Sequence, residues 1–139
     1  MAKFLGMPYP LQDHARGFMH TQFGTQQIKS DMLALLLTNP GERVMLPNYG
    51  VGLRKFLFEP NDALVIQEVT QAIDSQIRLW EPRIVIKNIE VGIPSRNDLN
   101  PADSLEDIES ILLIRIEFLD PDNIQEIHEL KLEVPLGGA

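Results

Sequence analysis

Apolar positions in this chain follow two different periods, and the change between them divides the sequence. Ile28, Met32, Leu35 and Leu36 recur at the three-to-four spacing of one helical face. The spacing predicts a helix with Thr25 as N-cap that runs to about Thr38. Asn39-Pro40-Gly41 stops it, since proline cannot continue the hydrogen-bond ladder. A longer stripe, Ile66, Val69, Ile73, Ile77 and Trp80, predicts a second helix capped by Asn61 and ended by Pro82. Between the two, Glu42–Pro47 reads as a short extended segment and Asn48–Gly52 as a turn. Leu53–Phe58 reads as a brief helix ending before Pro60.

Beyond Pro82 the period becomes two. Ile84 and Ile86 share one phase, whereas Ile89, Val91 and Ile93 share the other, which predicts a strand with a β-bulge near Lys87-Asn88. Residues 95–108 are polar, acidic and broken by Pro101, so they read as a loop. Leu112, Ile114, Ile116 and Phe118 then alternate with Arg115 and Glu117. After the turn residues Asp120-Pro121-Asp122-Asn123, Leu130, Leu132 and Val134 alternate with Lys131 and Glu133. A hairpin of two long strands follows from this. The predicted fold is α+β, with two main helices packed on one face of a three-stranded, mostly antiparallel sheet. One domain spans 1–139: an irregular, Gly- and Pro-rich arm over 1–24, a helical half over 25–80 and a sheet over 83–134.

Composition removes several chemistries. The chain has 139 residues, 44% of them hydrophobic, and no cysteine. That excludes disulfides, thiolate metal sites and cysteine nucleophiles together. With 20 Asp and Glu against 12 Lys and Arg the net charge is −8, which argues against a large nucleic-acid footprint. The N-terminus lacks the apolar stretch of a signal peptide, and the longest apolar run, Met32–Leu37, is far too short to span a bilayer. No nucleic-acid or membrane partner is expected.

Candidate catalytic groups are sparse. His14, His20 and His128 stand in no metal-ligand spacing, and no serine sits in a nucleophile elbow or phosphate loop. No metal, cofactor or catalytic residue is expected. A muramidase-like glycosidase using Glu59 or Glu81 is the enzymatic alternative, because a pair of carboxylates can cleave a glycosidic bond. Each precedes a proline, and Glu81 lies two residues from Arg83; a carboxylate held beside an arginine makes a structural ion pair more readily than a general acid. The arginines are more informative. Arg43, Arg54 and Arg83 each stand at an element boundary beside glycine or proline, two of them next to or near a glutamate. Arginine's planar fork suits charged clasps that hold subunits in fixed orientation.

At these residues the sequence resembles a known family. Thr38–Arg54 (TNPGERVMLPNYGVGLR), Leu57-Phe58-Glu59-Pro60 and Trp80-Glu81-Pro82-Arg83-Ile84 are similar to the phage baseplate wedge family. Its members are often labelled lysozyme-like and have relatives in type VI secretion baseplates. Leu46 and Val51 depart from it, standing where many relatives carry arginine and cysteine. The resemblance implies a non-enzymatic subunit of a contractile-tail baseplate that joins the wedge core and starts sheath assembly by β-strand addition. It implies interface roles for Gly41, Glu42 and Arg43 and for Glu81, Pro82 and Arg83, with Arg54 beside them. The implied partners are other wedge proteins, the tail sheath protein and tube or hub proteins. The implied location is the virion tail baseplate, after assembly in the host cytoplasm. A subunit of a type VI secretion or other contractile injection machine is the structural alternative.

Overall fold

A computed structural model describes residues 5–13, 15, 17, 22–59, 62–92 and 111–135. The first two strands are short: β1 (Leu5–Gly6) pairs antiparallel with β2 (Gln22–Phe23). The arm read as irregular therefore contains a small ladder that links the chain's start to the helix after it. Gln27 holds it there by donating from Nε2 to the Met7 carbonyl at 3.2 Å.

Helix α1 (Thr25–Leu37) begins one residue earlier than its sequence suggests. Gly24, at φ 68°, is the N-cap, and Thr25 is already helical. The Thr25 hydroxyl is drawn elsewhere, donating to Asp120 Oδ2 at 3.0 Å. Ile28, Met32, Leu35 and Leu36 are all buried, as their spacing requires. Helix α2 (Ala63–Trp80) is capped by Asp62, whose Oδ1 accepts from Val65 N at 2.9 Å. Asn61 lies outside the described residues, and the cap expected there belongs to its neighbour. The buried stripe of α2 starts at Val65, not Ile66, and continues through Val69, Ile73 and Ile77.

A 3-10 turn (Leu53–Phe58) joins the helices where a brief helix was expected. The segment Glu42–Pro47, however, is not extended. It folds back through successive turns, Glu42 N to Asn39 O, Leu46 N to Arg43 O and Tyr49 N to Leu46 O. Gly41 N donating to Pro47 O at 2.9 Å closes the loop on itself.

The main sheet has the order β3 (Val85–Gly92), β4 (Ile111–Asp120), β5 (Asn123–Pro135), all antiparallel. The bulge inferred from the phase slip is present between Ile86 and Asn88. Beyond it the cross-strand sets Ile89–Ile116–Leu130 and Val91–Ile114–Leu132 face the helices. On the other face lie Asn88–Glu117–Glu129 and Glu90–Arg115–Lys131. Helices and sheet share a single core, whose most enclosed side chains include Phe56, Phe118, Met32 and Ile73. The loop expected over 95–108, with His14 and His20, falls outside the described residues. Among the described residues no helix is long and apolar enough to cross a membrane.

Candidate functional site

The residues singled out by sequence converge where the ends of α1 and α2 approach each other. A helix leaves its last carbonyls without partners, and the loop after α1 supplies them. Thr38 N donates to Ala34 O at 3.0 Å and Val51 N to Leu35 O at 3.1 Å; Gly52 N reaches Thr38 O at 3.3 Å. This return path needs Gly50. Its φ is 118°, and a Cβ there would overlap the Thr38 carbonyl, so no other residue could let the two backbones approach so closely.

Within that loop each expected residue has a definite position. Gly41, at φ 91°, makes the closing bond described above. Glu42 accepts from Asn39 N at 3.0 Å and from Asn39 Nδ2 at 2.8 Å. Those two bonds, the side-chain one first, hold the Glu42 carboxyl below the ordinary carboxylate range, and the charge of Arg54 assists. Arg43 sits over the Tyr49 ring, its guanidinium carbon 4.1 Å from the ring centroid. Tyr49 in turn meets Trp80 edge-on, with ring centroids 5.3 Å apart. Burial pushes the Tyr49 phenol upward, while the nearby Arg43 opposes the shift. Arg43, Tyr49 and Trp80 thus form a stack that ties the loop to the last residue of α2.

The second motif begins at the next residue. Glu81 is the C-cap of α2 and only 5% exposed. Both its oxygens are taken by Arg83, Nε donating to Oε1 and Nη2 to Oε2, the latter at 2.6 Å. The same Nη2 reaches Asp31 Oδ2 on α1, also at 2.6 Å. Glu81's hydrogen bonds raise the Arg83 guanidinium above its already high value, with Asp31 adding to the effect against the cost of burial. Asp31 is further fixed by Gln27, which donates to its Oδ1 at 2.7 Å. Pro82, exposed in the turn between them, sets the reversal that lets Glu81 and Arg83 face each other. Arg83 therefore clasps the C-terminus of α2 to the middle of α1 and does not reach Glu42.

Arg54 stands apart from the clasp. It rims a shallow depression whose apolar floor is Leu36, Leu37, Leu53 and Val134, with Glu42 on the same rim. Sequence reasoning missed Asp31 and Asn39 as partners and Tyr49 and Trp80 as the link between the two motifs. Asp31 breaks no pattern on α1, so only proximity could reveal it. Tyr49 and Trp80 do carry a signal, being among the few large aromatics in a chain that is 6% aromatic.

The remaining feature is the sheet. β5 is an edge strand of 13 residues, and β3 is the opposite edge, interrupted by its bulge. On the face away from the helices, Arg115 pairs with Glu129 at 2.8 Å and with Glu90 at 3.4 Å, joining all three strands. At the turn end of that face the charges give way to Val85, Leu119 and Ile127, a cross-strand apolar row. Val85 and Ile127 are 56% and 63% exposed.

As a hydrolytic centre this arrangement is poor. Neither Glu81 oxygen is free to protonate a leaving group, and Glu59 stands exposed after the 3-10 turn. Among the described residues no group of three His, Cys, Asp or Glu could hold a metal ion.

Comparison with known proteins adds the context. One solved structure, from the anti-feeding prophage baseplate, is similar over 97% of this chain and 87% of its own, with a TM-score of 0.62 at 16% identity, a likeness of fold. A Geobacter sulfurreducens protein that carries the name tail lysozyme is similar over 81% of this chain and 91% of its own. Its TM-score is 0.62 at 25% identity. The baseplate wedge protein gp25 of Enterobacteria phage T4 is 31% identical over 111 residues, 80% of this chain and 75% of that one. Residues 23–119, which hold both arginine motifs, α1, α2, β3 and most of β4, match the family model described as baseplate wedge protein gp25. The chain belongs to the baseplate wedge protein gp25 family.

Proposed function

We propose that this wedge protein is a non-enzymatic subunit on which the first ring of a contractile tail's sheath is built by β-strand addition. The observation that carries the reading is the three-stranded sheet with its long outer strand β5, which pairs with β4 without interruption from Ile127 to Pro135. An edge strand presents a row of unpaired backbone groups, and a segment from a neighbouring protein can satisfy them while alternate side chains set specificity. β5 is better suited than β3: its irregularity is confined to the turn end, between Asn123 and Ile127, leaving nine residues in register, whereas the bulge at Lys87 divides the shorter β3. Glu126, Glu129 and Glu133 are exposed along β5. Those like charges oppose pairing of two copies of β5, leaving the edge for a basic or mixed partner.

Gly41, Glu42, Arg43, Arg54, Glu81, Pro82 and Arg83 are assigned to contacts with other wedge proteins and with tube or hub proteins. The stack and clasp give much of that surface fixed geometry, since Glu42, Arg43, Glu81 and Arg83 are already oriented before a partner arrives. Assembly takes place in the host cytoplasm, and the mature protein resides in the tail baseplate. The fold shared with the anti-feeding prophage baseplate supports a second reading, a subunit of a related injection machine; mass spectrometry of purified particles, virions or injection devices, separates the two.

The chain has no cysteine, which makes the strand-addition reading directly testable. Single cysteines at 129, 131 and 133 on β5, and at 85 and 90 on β3, are paired with single cysteines stepped along the terminal segments of the sheath protein from the same tail. Strand addition at β5 gives disulfides in a fixed register, at every second sheath position. Cross-links on β3 alone would move the site to the other edge. No cross-link on either edge in sheathed particles would sink the mechanism.

A further inference from the structure

The most exposed apolar side chains in the described structure are consecutive. Val44 is 94% exposed and Met45 87%, and Leu46 beside them is 36% exposed. Three successive apolar residues at a surface are a defect unless something covers them. Here they occupy the apex of a loop that is anything but slack. Gly41 N to Pro47 O closes its base, and two further turns brace it through Leu46 N to Arg43 O and Tyr49 N to Leu46 O. Asn39 and Glu42 lock one shoulder, and Arg43 stacked on Tyr49 locks the other. None of these bonds needs Val44 or Met45 side chains, so the loop is built to hold them out.

The charges around the apex say what kind of surface it meets. Arg43 flanks the apex and Arg54 shares a rim with Glu42 of the same loop; both are exposed, and neither forms an ion pair with a described residue. Glu42, the neighbouring acid, keeps its charge because its partner Asn39 is neutral, but Arg43 beside it and Arg54 on the same rim outnumber it. The chain as a whole carries −8, so a local cationic rim is not its default.

Resting on the wedge reading above, we infer that the 41–47 loop is a preformed plug: Val44 and Met45 insert into an apolar pocket rimmed by carboxylates on another subunit of the wedge. A rigid apolar projection loses little conformational freedom on docking, so most of the burial appears as affinity. The cationic collar selects among apolar pockets by charge and speeds encounter with an acidic one.

The test uses the full chain and the remaining wedge subunits of the same tail, purified as a complex lacking it. Binding of the wild type is compared with Met45→Glu, Val44→Ser, Arg54→Glu and Leu64→Glu. Leu64 is 63% exposed on α2, away from the loop, and serves as a control for a charge placed on any exposed apolar residue. Met45→Glu is expected to weaken association by about tenfold or more and Val44→Ser by less, with Leu64→Glu unchanged. Arg54→Glu is expected to weaken binding and flatten its salt dependence. Circular dichroism should show all four folded, since none of these side chains is buried. A photo-crosslinking residue at position 45 should label a wedge subunit at a site flanked by Asp or Glu. Wild-type binding with Met45→Glu unaffected overturns the plug and leaves the wedge reading standing. A wild type that fails to bind the wedge complex at all overturns both. Labelling of a second copy of this chain, or sedimentation with phosphatidylglycerol vesicles that Met45→Glu abolishes, overturns the assigned partner.

Discussion

Replacing Arg83 with alanine removes the one side chain among the described residues that joins Glu81 to Asp31, and the cost can be worked from their environments. Glu81 is 5% exposed, whereas Arg83 and Asp31 are 31% and 38% exposed. Breaking a fully buried ion pair by deleting one partner costs about 3–5 kcal/mol, because the other charge is left uncompensated. Solvent reaches two of the three groups here, so part of that is screened, and about 2–3 kcal/mol is expected. Unfolding entropy near 2.1 cal/mol/K per residue gives roughly 0.3 kcal/mol/K for a chain of this size, so the loss corresponds to a fall in Tm of about 7–10 °C. Thermal unfolding followed by circular dichroism measures it. Arg83→Lys keeps the charge but not the fork and should recover only part of the loss. The double variant Arg83→Met with Glu81→Gln should be more stable than Arg83→Met alone, since it no longer strands a buried charge. An Arg83→Ala protein melting within about 2 °C of wild type would refute the clasp and return Arg83 wholly to a role in partner contact.

Three further outcomes follow from the same geometry. Gly50→Ala combines a positive φ with overlap on the Thr38 carbonyl and should cost about 2–3 kcal/mol in urea denaturation, against about 1 kcal/mol for Gly41→Ala, where φ is positive but the space is open. Tyr49 is protonated more firmly when folded than unfolded, so its stabilising effect is complete below the ordinary phenol value and fades as pH rises through the higher folded one. The 295 nm difference titration of wild type minus Tyr49→Phe should therefore have its midpoint above 10.0. The Glu42 carboxyl is shifted the other way, from 4.5 downward; its contribution is present above the ordinary carboxylate value and lost as pH falls through the lower folded one. Glu42→Gln should flatten that acid limb, read by the loss of stability between neutral and acidic denaturation curves.

Most of the secondary structure was legible because it is written in local periodicity. The β3 bulge could be read from the slip between Ile86 and Ile89, since side-chain phase in a strand admits no other remedy for an extra residue. The α2 stripe and the hairpin turn at Asp120–Asn123 were equally local. What escaped depends on residues far apart. Thr25 has every local qualification for an N-cap, yet its hydroxyl serves Asp120, 95 residues away, and Gly24 takes the cap. Glu42–Pro47 carries β-branched and apolar residues that look extended; the loop folds because Gly41 and Pro47 can bond across it and Tyr49 offers Arg43 a flat surface. The candidate residues were found as motifs, but their wiring was not: the spacing of Glu81 and Arg83 hinted at their ion pair, whereas nothing local pointed to Asp31, through which Arg83 ties the terminus of α2 to α1.

That wiring bears on the two kinds of partner proposed for this chain. From Glu90 onward the sequence has 12 Asp and Glu against three Lys and Arg, while residues before it carry eight against nine. The acidic half includes β4 and β5, where β5 offers its open edge; the balanced half holds the clasp, the aromatic stack and the apolar loop apex with its cationic rim. The two proposed surfaces ask for opposite chemistry, a basic strand at one and an acidic apolar pocket at the other, so on this proposal a partner suited to one is repelled by the other. The core between them is continuous, and Thr25 bonded to Asp120 ties the start of α1 to the end of β4. Substitutions that loosen the Arg83 clasp should therefore weaken wedge contact while leaving β5 cross-linking in register, whereas a chain that lost both together would show that the two surfaces fold as one unit and cannot be separated by mutation.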